Sequence, residues 1–234
     1  MAVFTVLNIV GGITFAAVLI LFILAFKYDI TKGRLKKHHI IWGSTALTVV
    51  AIAAALNAGA AILTGPIRFG WISFRPGAAI TPVLGIVFGI PGAFGAALGN
   101  LISDIFKGFV TPASLGGVLG NFLFAYIPYK IMKDFTLKTF RSWSQFVVGV
   151  VGGALLGMLV MPFVISITGT LPTEVAWTTE PTALLMNRIV AVLILGPIFL
   201  KLLYPIVKRQ NLDWQSFQGK KKINKLPDKE NIGM

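Results

Sequence analysis

AAITPVLGIVFGIPGAFGAALGNLISDIF, residues 78–106, carries no charge before Asp104 and is longer than one membrane span requires. A bilayer core about 30 Å thick is crossed by roughly 20 apolar helical residues. Read as one helix, this stretch crosses once; read as two helices turning near residues 90–92, it crosses twice. The difference decides on which side everything after it lies. Pro91 flanked by Gly89, Ile90 and Gly92 is turn chemistry, although each arm of such a hairpin is short.

The basic residues select between the two. Lys and Arg number 21, and seventeen of them fall in three blocks, at 27–37, 130–141 and 201–229, separated by long apolar runs. Cytoplasmic loops retain such residues. The run 4–26 has no charge and is followed directly by the first block, so it reads as a retained helix with its N-terminus outside. The run 40–63 returns outward to a Gly-, Pro- and aromatic-rich loop at 64–77. One crossing by 78–106 would deliver the 130–141 block to the outside, whereas a hairpin keeps it inside. The runs 111–129, 144–171 and 182–207 then cross inward, outward and inward. The loop 172–181 carries Glu174 and Glu180 and no basic residue, as an outer loop should. The expected chain is an all-α integral membrane protein with one N-terminal helix and a six-helix core. It divides into 1–39 (helix and basic loop), 40–207 (transmembrane core) and 208–234 (basic cytoplasmic tail able to touch anionic lipid).

Composition supports the membrane reading and removes other classes. Hydrophobic residues make up 56% and charged residues 12%, about half the charged share of a soluble domain, and mean hydropathy is +0.82. The net charge of +13 sits between apolar spans, so it does not form the folded basic surface that nucleic acid needs. Without cysteine there is no disulfide framework or thiolate chemistry. His38 and His39 read as solvated loop residues, and no metal site or cofactor is expected. The phosphate-loop, H-E-x-x-H and G-x-S-x-G patterns are all missing, and a lone intramembrane carboxylate offers no acid/base pair. Enzyme chemistry is not expected, and any ATP-driven step must use a separate ATPase.

Polar groups at membrane depth mark the candidate site, because they are costly there. Asp104 is the acidic residue inside an apolar span, one turn after Asn100. Asn187 and Arg188 lie near the outer end of the last helix, Asn57 toward the outer end of the second. Arg68, Trp71 and Arg75 belong to the outer loop, with Phe74 and Trp177 nearby. All fall in the outer half, which suits a pocket for a small polar or aromatic molecule. An ion pair of Asp104 with Arg188 or Arg75 that only locks helices is the structural alternative. Asn121, Tyr126 and Tyr129 are weaker candidates. The second helix also presents small residues on two faces, Ala51 with Ala55 and Gly59, and Ala54 with Ala58, where another helix can approach closely.

These features resemble the substrate-binding S component of energy-coupling factor (ECF) transporters. The resemblance rests on AIAAALNA (51–58) with A-x-x-x-A spacing, the long outer loop after it, and ITPVLGIVFGIPGAFGAALGNLISDI (80–105). Within that run Gly85, Phe88, Gly89, Gly92, Gly95, Gly99 and Asp104 stand in the family's pattern. The resemblance implies a six-helix S-component bundle that captures a vitamin or related micronutrient from outside. It implies a transmembrane T component and two ABC-type ATPases as partners. The contact with the T component would be made by Ala51 with Ala55, or by Ala54 with Ala58, and the 64–77 loop would be a lid. The helix at 4–26 is additional to the usual six. A membrane sensory or scaffold domain and a stand-alone secondary carrier are the alternative readings.

Overall fold

The computed structural model describes residues 2–213 except 32, 39, 41, 65, 66, 70 and 71. Among these, α1 is Ala2–Leu24, and strands β1 (Tyr28–Thr31) and β2 (Arg34–Lys37) form an antiparallel hairpin. Helix α2 is Ser44–Leu63, and β3 (Ile67–Phe69) pairs with β4 (Ile72–Phe74). A 3₁₀ turn at Pro76–Ala79 leads into α3 (Ile80–Phe88), then α4 (Ile90–Phe106), α5 (Ser114–Ile131) and α6 (Phe140–Ile167). The chain finishes with α7 (Thr173–Leu184), a π-helical turn at Leu185–Val190, and α8 (Ala191–Arg209). Among the described residues, four stretches are long and apolar enough to cross a bilayer by length and composition: Ala2–Leu24, Ser44–Leu63, Phe140–Ile167 and Arg188–Arg209. The fold is that of an all-α membrane protein.

Residues 78–106 are two helices. The break falls at Gly89, whose φ of 66° and ψ of −140° are open to a residue without Cβ. Pro91 then sits in the first turn of α4, where its missing N–H costs nothing. A Cβ on Gly92 would collide with the Leu84 carbonyl and Phe88, so α4 folds back along α3. The turn lies slightly earlier than the sequence suggests, and it is buried. Residues 81–97 are all buried, and nine-residue α3 rises only about 14 Å, so the connection stops inside the bundle.

Helix α4 lies between α2 and α5. Gly95 approaches Val50 and Ala53, and Gly99 approaches Ala54, Asn57 and Ala58, so α2 and α4 run parallel at backbone contact. Gly85 meets the Ala125 backbone, seating α3 on α5. Along α6, Gly149, Gly153 and Gly157 face Pro128, Phe124 and Gly120 in turn, so α5 and α6 run antiparallel. Small residues at these crossings allow van der Waals contact that larger side chains would prevent. Near the end that carries the basic blocks, Phe22 of α1 packs on Phe94 and Phe122 with ring centroids 5.0 Å from each.

The segments outside this core depart from a simple loop reading. The block 27–37 expected as a loop forms the β1–β2 hairpin, which turns through Gly33 at φ 70°. Buried Asp29 accepts from the Tyr126 hydroxyl at 2.8 Å and pairs with Lys130 at 2.8 Å, pinning the hairpin to α5. His38 is half-buried and not solvated: its Nε2 lies 2.8 Å from the Ala25 carbonyl, while Nδ1 accepts from the Ile40 N–H at 3.2 Å. His39 lies outside the described residues. The expected outer loop 172–181 is mostly helix α7. Glu174 in its first turn favours the positive helix end. The Thr178, Thr179 and Thr182 hydroxyls fold back on carbonyls one turn earlier, at 2.8, 2.7 and 3.1 Å. Threonine in place of leucine hides that helix from a hydropathy reading.

Candidate functional site

At the end opposite the basic blocks, α4, α5 and the π-turn bring a set of polar side chains together. Asn121 Nδ2 donates to Asn100 Oδ1 and to the Gly117 carbonyl, both at 2.8 Å. Asn100 Nδ2 in turn donates to Asp104 Oδ2 at 3.2 Å. Ser114, at the start of α5, hydrogen-bonds Asp104 and accepts the Thr111 N–H at 3.2 Å. Gly117 makes the arrangement possible, since a Cβ there would lie 2.6 Å from Asn100 Nδ2. The cluster is half-buried at Asn100 and Asp104 and buried at Ser114 and Asn121.

Arg188 is the buried cation of this end. It sits in the π-turn, a helix irregularity common at functional sites. Its Nη1 donates to the Gly120 carbonyl at 3.2 Å, and its guanidinium lies 4.9 Å from the centre of the Phe124 ring. Gly117, Gly120 and Asn121 are one turn of α5, so the Asp104 and Arg188 groups converge on the same stretch of helix. Arg75, exposed at the head of the 3₁₀ turn, and Lys107 both act electrostatically on Asp104. Glu180 of α7 acts on both Arg75 and Arg188. Arg188 is thus held by Gly120 and Phe124, with the Glu180 charge acting on it from α7, and Asp104 is held by Asn100 and Ser114; no ion pair joins Asp104 to Arg188 among the described residues.

The chain's membership is decided by a match covering residues 47–205, which fits the family described as QueT transporter. The chain belongs to the QueT transporter family. QueT proteins are ECF-transporter S components associated with a queuosine precursor, so the chain is a membrane transport protein of S-component type for a micronutrient. The QueT match starts inside α2 and ends inside α8, leaving α1 and the β1–β2 hairpin outside it. No curated protein and no solved structure matches the chain.

Within the QueT core, the residues expected at the site divide. Asn100, Asp104, Arg75 and Arg188 belong to one electrostatic and hydrogen-bonded neighbourhood. Asn57 stands apart: buried, it donates to the Ala96 carbonyl and accepts from Thr81 Oγ1, both at 2.8 Å, cross-linking α2, α3 and α4. Trp71 and the side chains of Arg68, Phe74 and Asn187 lie outside the described residues. Trp177 is turned to α1, donating to Asn8 Oδ1 at 2.7 Å beside Gly11. Tyr126 and Tyr129 hold Asp29 at the other end. Glu180, Ser114 and Lys107 join the neighbourhood of Asp104 and Arg188 without standing out in the sequence as site residues. Glu180 precedes Arg188 by eight residues, about two helical turns, a spacing visible only once 172–181 is read as helix.

The two small-residue faces of α2 have different fates. Ala54 and Ala58 are buried against Gly99 of α4, whereas Ala51 and Ala55 are exposed, and Gly59 has open space at its Cα. Helix α1 packs on α6, α5 and α7, away from that open face.

Proposed function

We propose that the chain captures a queuosine precursor from outside the cell at the Asp104–Asn100–Asn121–Arg188 cluster, with Arg75 and Glu180 closing over it. A T component and two ABC-type ATPases would power release inward. The convergence of Asp104 and Arg188 on one turn of α5 carries this reading. A guanine-like base offers N–H donors beside a carbonyl acceptor. A carboxylate takes the donors and a guanidinium or carboxamide takes the carbonyl in strong, charge-assisted hydrogen bonds. Phe124, fully buried beneath the Arg188 guanidinium, holds that cation in position through its ring. The β3–β4 hairpin, which leads directly to Arg75, would act as the lid.

The N-terminus lies outside and the basic blocks lie in the cytoplasm, as cation retention requires. The T component would dock on Ala51, Ala55 and Gly59, since the Ala54–Ala58 face is already occupied by α4. Uptake tests the assignment. Cells expressing the chain with a T component and ATPases should accumulate labelled precursor, and cells with the chain alone should not. Accumulation by the chain alone, abolished by an uncoupler, would make it a secondary carrier instead.

A further inference from the structure

We propose that the β1–β2 hairpin is a contact for anionic phospholipid, which seats the accessory N-terminal segment on the leaflet at the basic end. The hairpin has two unlike faces. Directly opposed residues of an antiparallel pair share a face, and the register pairs Tyr28 with Lys37, Asp29 with Lys36, Ile30 with Leu35 and Thr31 with Arg34. The Asp29 face is fastened to the bundle: Asp29 is 7% exposed and is held by Tyr126, Tyr129 and Lys130 of α5. The other face carries Tyr28, Ile30 and Leu35, which are 39%, 38% and 57% exposed.

Apolar exposure on so short a hairpin would be a liability in water. Here it begins four residues after the end of α1, whose flank is open along most of its length and where Phe26 is also exposed. Lys37 shares this face and Lys27 precedes it, while Arg34 and Lys36, which belong to the Asp29 face by register, are exposed as well. An aromatic and two aliphatic side chains on a short hairpin with four exposed cations match the boundary between acyl chains and anionic headgroups. Each basic residue near such a surface strengthens attachment about fivefold. The Asp29 latch fixes which face turns outward, so the apolar face points away from α5.

The chain contains no cysteine, so single nitroxide labels can be placed at Ile30→Cys, Leu35→Cys and, as an aqueous reference, Lys133→Cys in the full chain in nanodiscs. In discs containing phosphatidylglycerol, labels at 30 and 35 should favour collision with oxygen over a water-soluble nickel complex, and the label at 133 should not. Replacing Arg34, Lys36 and Lys37 together by Gln, or using phosphatidylcholine alone, should move the label at 35 toward the reference. Equal water access at 35 and 133 in anionic discs overturns the proposal, as does depth that ignores lipid charge. Protection appearing only when a T component and ATPases are added would assign the face to a protein partner and also overturn it. None of these readouts involves the precursor, so the lipid contact and the transport assignment fail separately.

Discussion

The amide of Asn121 bridges Asn100 Oδ1 and the Gly117 carbonyl at 2.8 Å each, and so turns Asn100 Nδ2 onto Asp104. One helix turn of α5 thereby sets the direction of a carboxylate on α4. Gly117 is the tolerance point of this relay. A methyl group at that position must displace the Asn100 amide, so Gly117→Ala should weaken precursor binding about tenfold, or about 1.4 kcal/mol. Calorimetric titration together with thermal unfolding checks this. Unchanged affinity in a folded variant would remove Asn100 from the site.

The two faces of α2 separate folding from assembly. Ala55→Leu adds bulk to an exposed position and should abolish co-purification with the T component while leaving thermal stability unchanged. Ala54→Leu forces bulk into the α2–α4 contact and should cost about 1–3 kcal/mol of stability. If Ala55→Leu protein co-purifies as wild type does, the T component docks elsewhere.

The Asp29 latch should be visible in stability alone. Asp29→Ala leaves the Lys130 ammonium and the Tyr126 hydroxyl without their acceptor, a loss of about 3 kcal/mol for a buried pair. Asp29→Asn keeps an acceptor and should lose less. Thermal unfolding of the two purified variants gives the order, and wild-type melting in both would show that the latch does not hold the hairpin.

Orientation is open to direct labelling because the chain lacks cysteine. Glu174→Cys, on α7, should react with an impermeant maleimide in intact cells, and Lys133→Cys only after permeabilisation. The opposite pattern would invert the assignment of sides.

Much of this architecture is legible in the residues. Counting crossings between basic blocks separates 78–106 into two helices, and Gly-Ile-Pro-Gly places the break to within a residue or two. Charge parity reports sides and not depth, so it does not reveal that the α3–α4 turn stays buried. The small residues of α2 announce two close-packing faces, but only the position of Gly99 decides that Ala54 and Ala58 are consumed internally. Asp104, Asn100 and Arg188 stand out because polar groups are scarce in apolar spans. In the sequence Glu180 and Trp177 look like loop residues, since Thr-rich α7 has no apolar period to mark it. Its helix brings Glu180 within electrostatic reach of Arg188 and turns Trp177 away to Asn8.

The central claim is that Asp104 and Arg188 read the two sides of one base. Calorimetric titration of the purified chain with a queuosine precursor, using guanine as comparison, tests it most directly. Wild type should bind the precursor, and Asp104→Asn and Arg188→Gln should each lose at least tenfold in affinity, about 1.4 kcal/mol, while remaining folded. Wild-type affinity in both folded variants, or no binding of the precursor by the wild-type chain, would contradict it.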